Sequence, residues 1–421
     1  MNLMYKDFCE LMDDFEYDER KVWAFPKKSI SYDLPYYGFK IHISAILKNA
    51  YLIFSIVKEI LDKHNVSYKV ISSMQNLEEL NTGKFGYSQI GKFCTVYPKS
   101  NESIEVIADE LYSATLGFQS VDIPSDFRYK NSSIVYYRYG EINIEKRQGR
   151  KKDKRDKYIP KGINVPIRDH YIPRFPMIPN KYMPLACLRS RGKTRIFHAI
   201  DIESKKPVIL KEGVMLGEID ELNRDGVHCA MNEMSVLSAV SDLKHFPKLI
   251  DSFYAGSSFY VVEEFIQGKA IREYLTEKDA VLPMDRATIL LKIANIIEDL
   301  DSRMLVIGDF SPDNIIVNNH EIRMIDVEYY YVKGKKPKYV PGTPGFFYDD
   351  YKDDKAIIYG VLSLWYYLDH PKEYVSMLKK NKNVYYNVNN INKYVKIDPR
   401  VSEVIQVSCI KDALPLLREI F

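Results

Sequence analysis

The stretch Ile307-Gly-Asp-Phe-Ser-Pro-Asp-Asn-Ile-Ile-Val317, followed by Met324-Ile-Asp-Val-Glu328, decides how the second half of the chain is read. Asp309 and Asn314 stand five apart and Asp326 twelve further on, with the β-branched run Ile315, Ile316, Val317 between them. That run predicts a short buried strand, so residues 307–326 read as an irregular hairpin presenting three oxygen-bearing side chains. A carboxylate that can meet a hydroxyl proton, beside an Asn and a second Asp that can share a hard cation, suits chemistry at a phosphate group.

Outward from this stretch, 421 residues are enough for two or three domains. The 60 Lys and Arg against 57 Asp and Glu leave a net charge of +3, which excludes a globally basic nucleic-acid binder. A composition 46% hydrophobic and 28% charged excludes wholesale disorder. The 5 cysteines include no C-x-x-C pair, so neither a disulfide framework nor a zinc ribbon is expected. Asp7, Glu10, Asp13 and Asp14 stand where an export signal would be basic and then apolar. The apolar residues 356–368 are too few to cross a bilayer. The expectation is a cytoplasmic protein with neither a nucleic acid nor a membrane as partner.

Six prolines at 160, 166, 173, 176, 179 and 184 predict an extended connector over 160–184. Just before it, residues 146–157 hold eight basic and two acidic side chains, a run of +6 that reads as a solvated loop or a docking surface for an acidic peptide. Upstream, strands are expected at 39–44, 66–71, 91–97 and 134–139 and helices at 45–64 and 103–114, a mixed α/β domain. Downstream, strands are expected at 194–200, 207–211 and 259–265, a helix at 229–240, and mainly helix from about 282.

The Asp309/Asn314/Asp326 spacing is similar to that of the catalytic loop and metal-binding Asp of protein kinases. Other parts follow in the same order. Val208-Ile-Leu-Lys211 resembles the strand whose lysine reaches the nucleotide phosphates, and Glu233 is placed as its partner. Tyr260-Val-Val-Glu-Glu-Phe-Ile-Gln-Gly268 resembles a strand entering a hinge, where backbone groups of Glu264, Phe265 and Ile266 would face a purine. Gly342-Thr-Pro-Gly345 resembles the end of an activation segment. The resemblance covers about residues 181–421 and implies ATP or GTP with Mg²⁺, held by Asn314 and Asp326, with Asp309 as the catalytic carboxylate. Three departures stand out. Leu188-Arg-Ser-Arg-Gly-Lys-Thr-Arg195 has one glycine where a Gly-rich loop is expected, so Arg189, Arg191, Lys193 or Arg195 is expected to supply charge to the phosphates. Gly308 replaces the arginine that would pair with a phosphorylated activation loop, and Asp326-Val-Glu328 keeps the metal ligand without the switching Phe.

In Gly38-Phe-Lys-Ile-His-Ile-Ser44 the strand period puts Lys40, His42 and Ser44 on one face. Lys69, Lys92, Arg128 and Arg138 also sit in aromatic or apolar strands, where cations need an anionic partner or an open cleft; together they suggest a phosphate pocket. With Gly91-Lys-Phe, Ser125-Asp-Phe-Arg, Tyr137-Arg-Tyr-Gly, Arg168-Asp169 and Gly308-Asp-Phe-Ser-Pro-Asp-Asn314, the chain resembles the lyase and kinase domains of class III lanthipeptide synthetases. Lys40-Ile-His42 matches the Lys-x-His motif of bacterial phosphothreonine lyases. The resemblance implies an α+β chain of two domains: a mixed α/β phosphothreonine-lyase-like domain, 1–180, and a bilobal protein-kinase-like domain, 181–421, with lobes of about 181–268 and 269–421. It implies that the kinase phosphorylates Ser or Thr of a precursor peptide with leader and core, and that the lyase eliminates phosphate to give dehydroalanine or dehydrobutyrine. Lys69 would be the base and His42 the acid, with Lys40, Lys92, Arg128 and Arg138 gripping phosphate. The alternative is a Ser/Thr kinase whose N-terminal domain only binds phosphopeptide or leader. The residues left after Phe421, none, make a cyclase acting in trans, or a shortened chain, a further expectation.

Overall fold

The computed structural model describes residues 7–27, 34–142, 158–167, 178–219, 224–277, 281–318, 321–337, 340, 342–343, 345–346, 353–372 and 399–421. The basic run 146–157 and Arg168-Asp169 lie outside the described residues.

The N-terminal sheet comprises β1 (Phe15–Tyr17), β2 (Trp23–Pro26), β3 (Tyr37–Ile43), β4 (Ser67–Ile71), β5 (Cys94–Tyr97), β6 (Phe127–Arg128) and β7 (Val135–Glu141). Its order is β1-β2-β4-β5-β3-β7-β6, and every neighbouring pair is antiparallel. Alternation gives the sheet two different faces. Ile41, Ile43, Val70, Cys94 and Val96 point to one and are buried with helix α1 (Ala50–Lys63), α2 (Met74–Asn81) and α3 (Asn101–Ala114). Along α1 the buried residues Ala50, Ile53, Phe54, Val57, Ile60 and Leu61 recur at helical spacing. Phe54 packs edge-on to Phe8 and Phe93, and burying each such ring contributes roughly 1.5–3 kcal/mol. The opposite face carries Lys40, His42, Lys69, Thr95 and Arg138. The strands expected at 39–44, 66–71 and 134–139 lie at Tyr37–Ile43, Ser67–Ile71 and Val135–Glu141, but α1 starts at Ala50 rather than 45, because Asn49 Oδ1 accepts from Ile46 N (2.9 Å) and closes a turn first. Likewise the expected strand at 91–97 begins at Cys94, since Phe93 N turns back onto Gly91 O.

The second sheet runs β11 (Leu249–Ala255), β12 (Ser258–Glu264), β10 (Lys206–Gly213), β9 (Thr194–Asp201), β8 (Tyr182–Ser190) in that order, all antiparallel. The connector therefore ends earlier than 184: Pro184 lies inside β8, tolerated because β8 is an edge strand and its register shifts after Pro184. Helix α4 (Gly226–Ala239) packs on β10 and β12, opened by Asp225, whose side chain accepts from His228 N. Beyond lie β13 (Lys269–Ala270), α5 (Ile271–Thr276), α6 (Arg286–Ser302), β14 (Leu305–Val306), β15 (Ile315–Val317), β16 (Ile322–Met324), β17 (Tyr331–Val332), α7 (Asp354–Asp369), α8 (Pro399–Gln406) and α9 (Ile410–Ile420). Helix α6 is buried along Ile289, Ile293, Ile296 and Leu300, and the hairpin β15–β16 sits against this helical core. Two small-sided or glycine positions bring segments into close contact. A Cβ at Gly308 would overlap the Tyr329 carbonyl, and one at Gly192, at the β8–β9 turn, would overlap the Asn81 carbonyl at the end of α2. The first half thus touches the second through that turn. Among the described residues no helix is long and apolar enough to cross a membrane.

Candidate functional site

On the polar face of the N-terminal sheet, register places Lys69 opposite Thr95, Thr95 opposite His42, His42 opposite Tyr136 and Tyr136 opposite Arg128. These residues form one row across β4, β5, β3, β7 and β6, with the pair Lys40 and Arg138 in the adjacent row. At about 4.8 Å per strand, the backbones of Lys69 and His42 are about 10 Å apart, close enough for both side chains to reach one small group between them.

His42 is buried, and its Nδ1 contacts Oδ2 of Asp126. Oδ1 of that carboxylate lies 3.0 Å from Lys92 Nζ and accepts from Ser125 Oγ at 2.8 Å. Despite burial, His42 and Lys92 hold Asp126 well below the usual carboxylate range. Burial pushes His42 down to about 3 against the pull of Asp126, with Lys92 and Lys40 adding to the fall. The imidazole is therefore neutral, and with Nδ1 donating to Asp126 its Nε2 is the open nitrogen. Lys40 donates to the Glu141 carbonyl at 2.6 Å; burial, then Arg138 and Lys92, push it down to about 7. Lys69 lies over the Trp23 ring, 3.9 Å from its centroid, a contact that favours the ammonium form. Arg128 contacts Asp122, which also accepts from Tyr136 (2.8 Å). Sequence reasoning gave no role to Asp126, Asp122 or Trp23; the one available signal was Asp126 beside Phe127-Arg128 in an otherwise aromatic run.

In the second half, a cleft of about 410 Å³ between the five-stranded sheet and the β15–β16 hairpin is lined by Leu188, Arg189, Lys211, Phe265, Asn314 and Asp326, among others. Lys211 Nζ lies 2.5 Å from Glu233, 3.1 Å from Glu263 and 3.7 Å from Asp326. Burial opposes its charge, but these three carboxylates hold its pKa well above the ordinary value, while burial pushes Glu233 up to about 8. Asp326 has φ +60°, a left-handed backbone that costs a non-glycine residue energy and turns it out of the strand. Asn314 Nδ2 donates to the Asp309 carbonyl (3.2 Å), and its carbonyl accepts from Ile325 N (2.9 Å), tying the Asp309 loop to the Asp326 segment. Thr343 donates twice to Asp309 Oδ1, from N at 2.8 Å and Oγ1 at 2.9 Å, so Thr343 reaches the Asp309 loop. Burial raises the pKa of Asp309. Glu264, Phe265 and Ile266 all line the cleft, and Glu264 also binds Arg323 (2.7 Å) with its side chain and Lys248 O (2.9 Å) with its N–H. Of the four cations near the β8–β9 turn, Lys193 binds Glu328 (2.7 Å) and Tyr329, and Arg195 lies 3.4 Å from Glu212; Arg189 alone of the four lines the cleft. Asn314 and Asp326 offer oxygen donors beside a buried cation and a buried carboxylate, a set that suits Mg²⁺.

The comparisons with known proteins divide the chain in the same sense. Residues 7–184 match the family described as RamC, N-terminal domain, and residues 200–333 match protein tyrosine and serine/threonine kinase. The chain joins a RamC N-terminal domain to a protein kinase domain. Over 351 residues, 75% of this chain and 37% of the relative, it is 24% identical to a probable SapB synthase of Streptomyces coelicolor. It is 28% identical over 138 residues, 32% of this chain and 33% of the relative, to the mouse phosphorylase b kinase gamma catalytic chain, liver/testis isoform. It is 21% identical over 184 residues, 40% of this chain and 33% of the relative, to the serine/threonine-protein kinase PknA of Nostoc. The chain spans about a third of the length of the curated relatives it matches.

Proposed function

We propose that this chain dehydrates Ser and Thr of a ribosomally made precursor peptide in two steps, phosphorylation by residues 181–421 and elimination by residues 1–180, as a lanthipeptide synthetase. The observation that carries the reading is the row from Lys69 to Arg128, which sets proton carriers and cations on one sheet face in a chain that also has a kinase cleft.

In the first step Asp309 orients and deprotonates the peptide hydroxyl, steadied by Thr343. Lys211, fixed by Glu233, binds the phosphates of ATP or GTP, whose base stacks beside Phe265 and Ile266. Asn314 and Asp326 would hold Mg²⁺, which neutralises charge on the transferring phosphoryl group.

In the second step a neutral lysine takes the Cα proton, the electron pair forms the Cα–Cβ double bond, and the Cβ–O bond breaks as phosphate leaves with its pair. Lys69 is assigned as base and His42 as acid. The resting imidazole is neutral, so the acid role depends on the substrate: a phosphate dianion offsets Lys92 and Lys40 and raises the pKa of His42. One observation favours Lys40 as a second proton carrier, its pKa of about 7 against the ammonium-favouring ring under Lys69. Asp126 holds the imidazole, and Arg128 exchanges Asp122 for phosphate.

A domain that only bound phosphopeptide would need the cations and would have no use for the Asp126–His42 pair. Mass spectrometry of a Ser/Thr-containing precursor with Mg²⁺ and ATP or GTP tests this: net loss of water is expected. Gain of phosphate with no loss of water on longer incubation would overturn the elimination step and support a kinase with a binding domain.

A further inference from the structure

A glycine-rich loop binds phosphate by laying backbone N–H groups along it, which requires a tip free to lie over the nucleotide. Here the β8–β9 tip is engaged elsewhere. Gly192 abuts the Asn81 carbonyl on one side, and on the other a Cβ at Gly217 would overlap the Gly192 carbonyl. Lys193 O accepts from Val214 N at 2.8 Å, and Arg191 N closes the turn onto Thr194 O at 2.9 Å. Two of the cations flanking the tip are held by Glu328 and Glu212.

The strand before the tip makes up the difference. In an undisturbed strand consecutive side chains point to opposite faces, yet Leu188 and Arg189 both line the cleft. The cause is the register shift between Cys187 and Arg189 against β9, where Cys187 pairs with Phe197 and Arg189 with Ile196. A bulge of this kind re-aims a side chain, and here it swings a guanidinium toward the end of the cleft where Lys211, Asn314 and Asp326 meet. Arg189 Nη1 lies 4.0 Å from Asp326 Oδ2, and its side chain is half exposed, free to turn from the carboxylate to a ligand.

We infer that Arg189 binds the outermost phosphate of the nucleotide, replacing with a side-chain fork the backbone cradle that the anchored tip does not provide. The inference rests on the kinase reading above. A planar guanidinium offers two parallel N–H donors to phosphate oxygens. Lys211, held by three carboxylates, grips phosphates nearer the base, so the two cations divide the chain of phosphates between them.

Calorimetry without peptide tests it on the full chain, using Mg²⁺ with a non-hydrolysable ATP analogue and separately with ADP. Loss of one charged, bidentate contact is worth about a tenfold change in affinity or more. Arg189→Ala is expected to weaken the triphosphate analogue about tenfold while leaving ADP nearly unchanged, with Arg189→Lys in between and Arg191→Ala keeping the wild-type ratio. Equal weakening of both ligands, or an unchanged ratio, would overturn the assignment while leaving the kinase reading in place. Absence of binding by the unmutated chain would sink the nucleotide site itself.

Discussion

Lys92 Nζ stands 3.0 Å from Oδ1 of Asp126, and the other oxygen of that carboxylate holds His42 Nδ1. One buried charge therefore fixes a cation and orients an imidazole. Asp126→Asn keeps the volume and removes the charge, leaving Lys92 buried without its anion, a change that typically costs about 3–5 kcal/mol. Elimination from a prephosphorylated peptide is expected to fall about 100-fold or more while phosphorylation is retained. Elimination at the wild-type rate in this variant would show that the carboxylate does not serve the reaction.

Separation of the two steps gives the second prediction. His42→Ala and Lys69→Ala are expected to accumulate phosphopeptide, visible as an intermediate mass, whereas Asp309→Asn prevents both phosphate gain and water loss. If Lys69→Ala dehydrates a prephosphorylated peptide as well as the unmutated chain does and Lys40→Ala does not, the base is Lys40.

Acid should weaken the first half through His42. Its ordinary pKa of 6.5 falls to about 3 in the fold, so between those values the unfolded chain binds a proton that the folded chain lacks. Stability is therefore lost as pH falls through this window, by up to about 1.4 kcal/mol per pH unit. Lys40 works in the alkaline range: its ordinary value of 10.5 falls to about 7, so its burial cost is relieved as pH rises from 7 to 10.5. The chain has 2 tryptophans, Trp23 in the first half and Trp365 in the second, so denaturation of a Trp365→Phe background reports on the first half alone. His42→Gln should flatten the slope between pH 6.5 and 4; an equally steep slope would assign the acid sensitivity to other groups.

Gly192→Val tests the contact between the halves. Its side chain would meet the Asn81 backbone, and Asn81 in turn donates to the Ala45 carbonyl (3.0 Å) just after β3. A destabilisation of about 1–3 kcal/mol is expected, with new protease sensitivity at the β8–β9 turn. A variant with unchanged melting and proteolysis would mean that the turn does not bear on the first half.

The polar face of β3 was legible because a strand has a period of two, and Lys40 and His42 are two of its alternate positions, whereas Ser44, expected on the same face, falls just past the strand's end. The Asp309, Asn314 and Asp326 spacing was legible because the hairpin closes locally. The partner of His42 was not, since Asp126 is 84 residues away and nothing local marks a long-range hydrogen bond. Gly308 reads in the sequence as a missing arginine, while the structure gives a steric reason, the Tyr329 carbonyl lying where a side chain would begin. Arg189 could not be separated from its three basic neighbours until the bulge showed which way it points.

The turn resting on α2 also bears on kinetics. On the two-step reading proposed above, a peptide phosphorylated in the cleft would meet the cationic row of the same molecule at an effective concentration of roughly millimolar. Recapture then competes with escape into solution. A weak grip on each phosphoresidue would then be enough, and a tight one would slow release of the inorganic phosphate left by elimination.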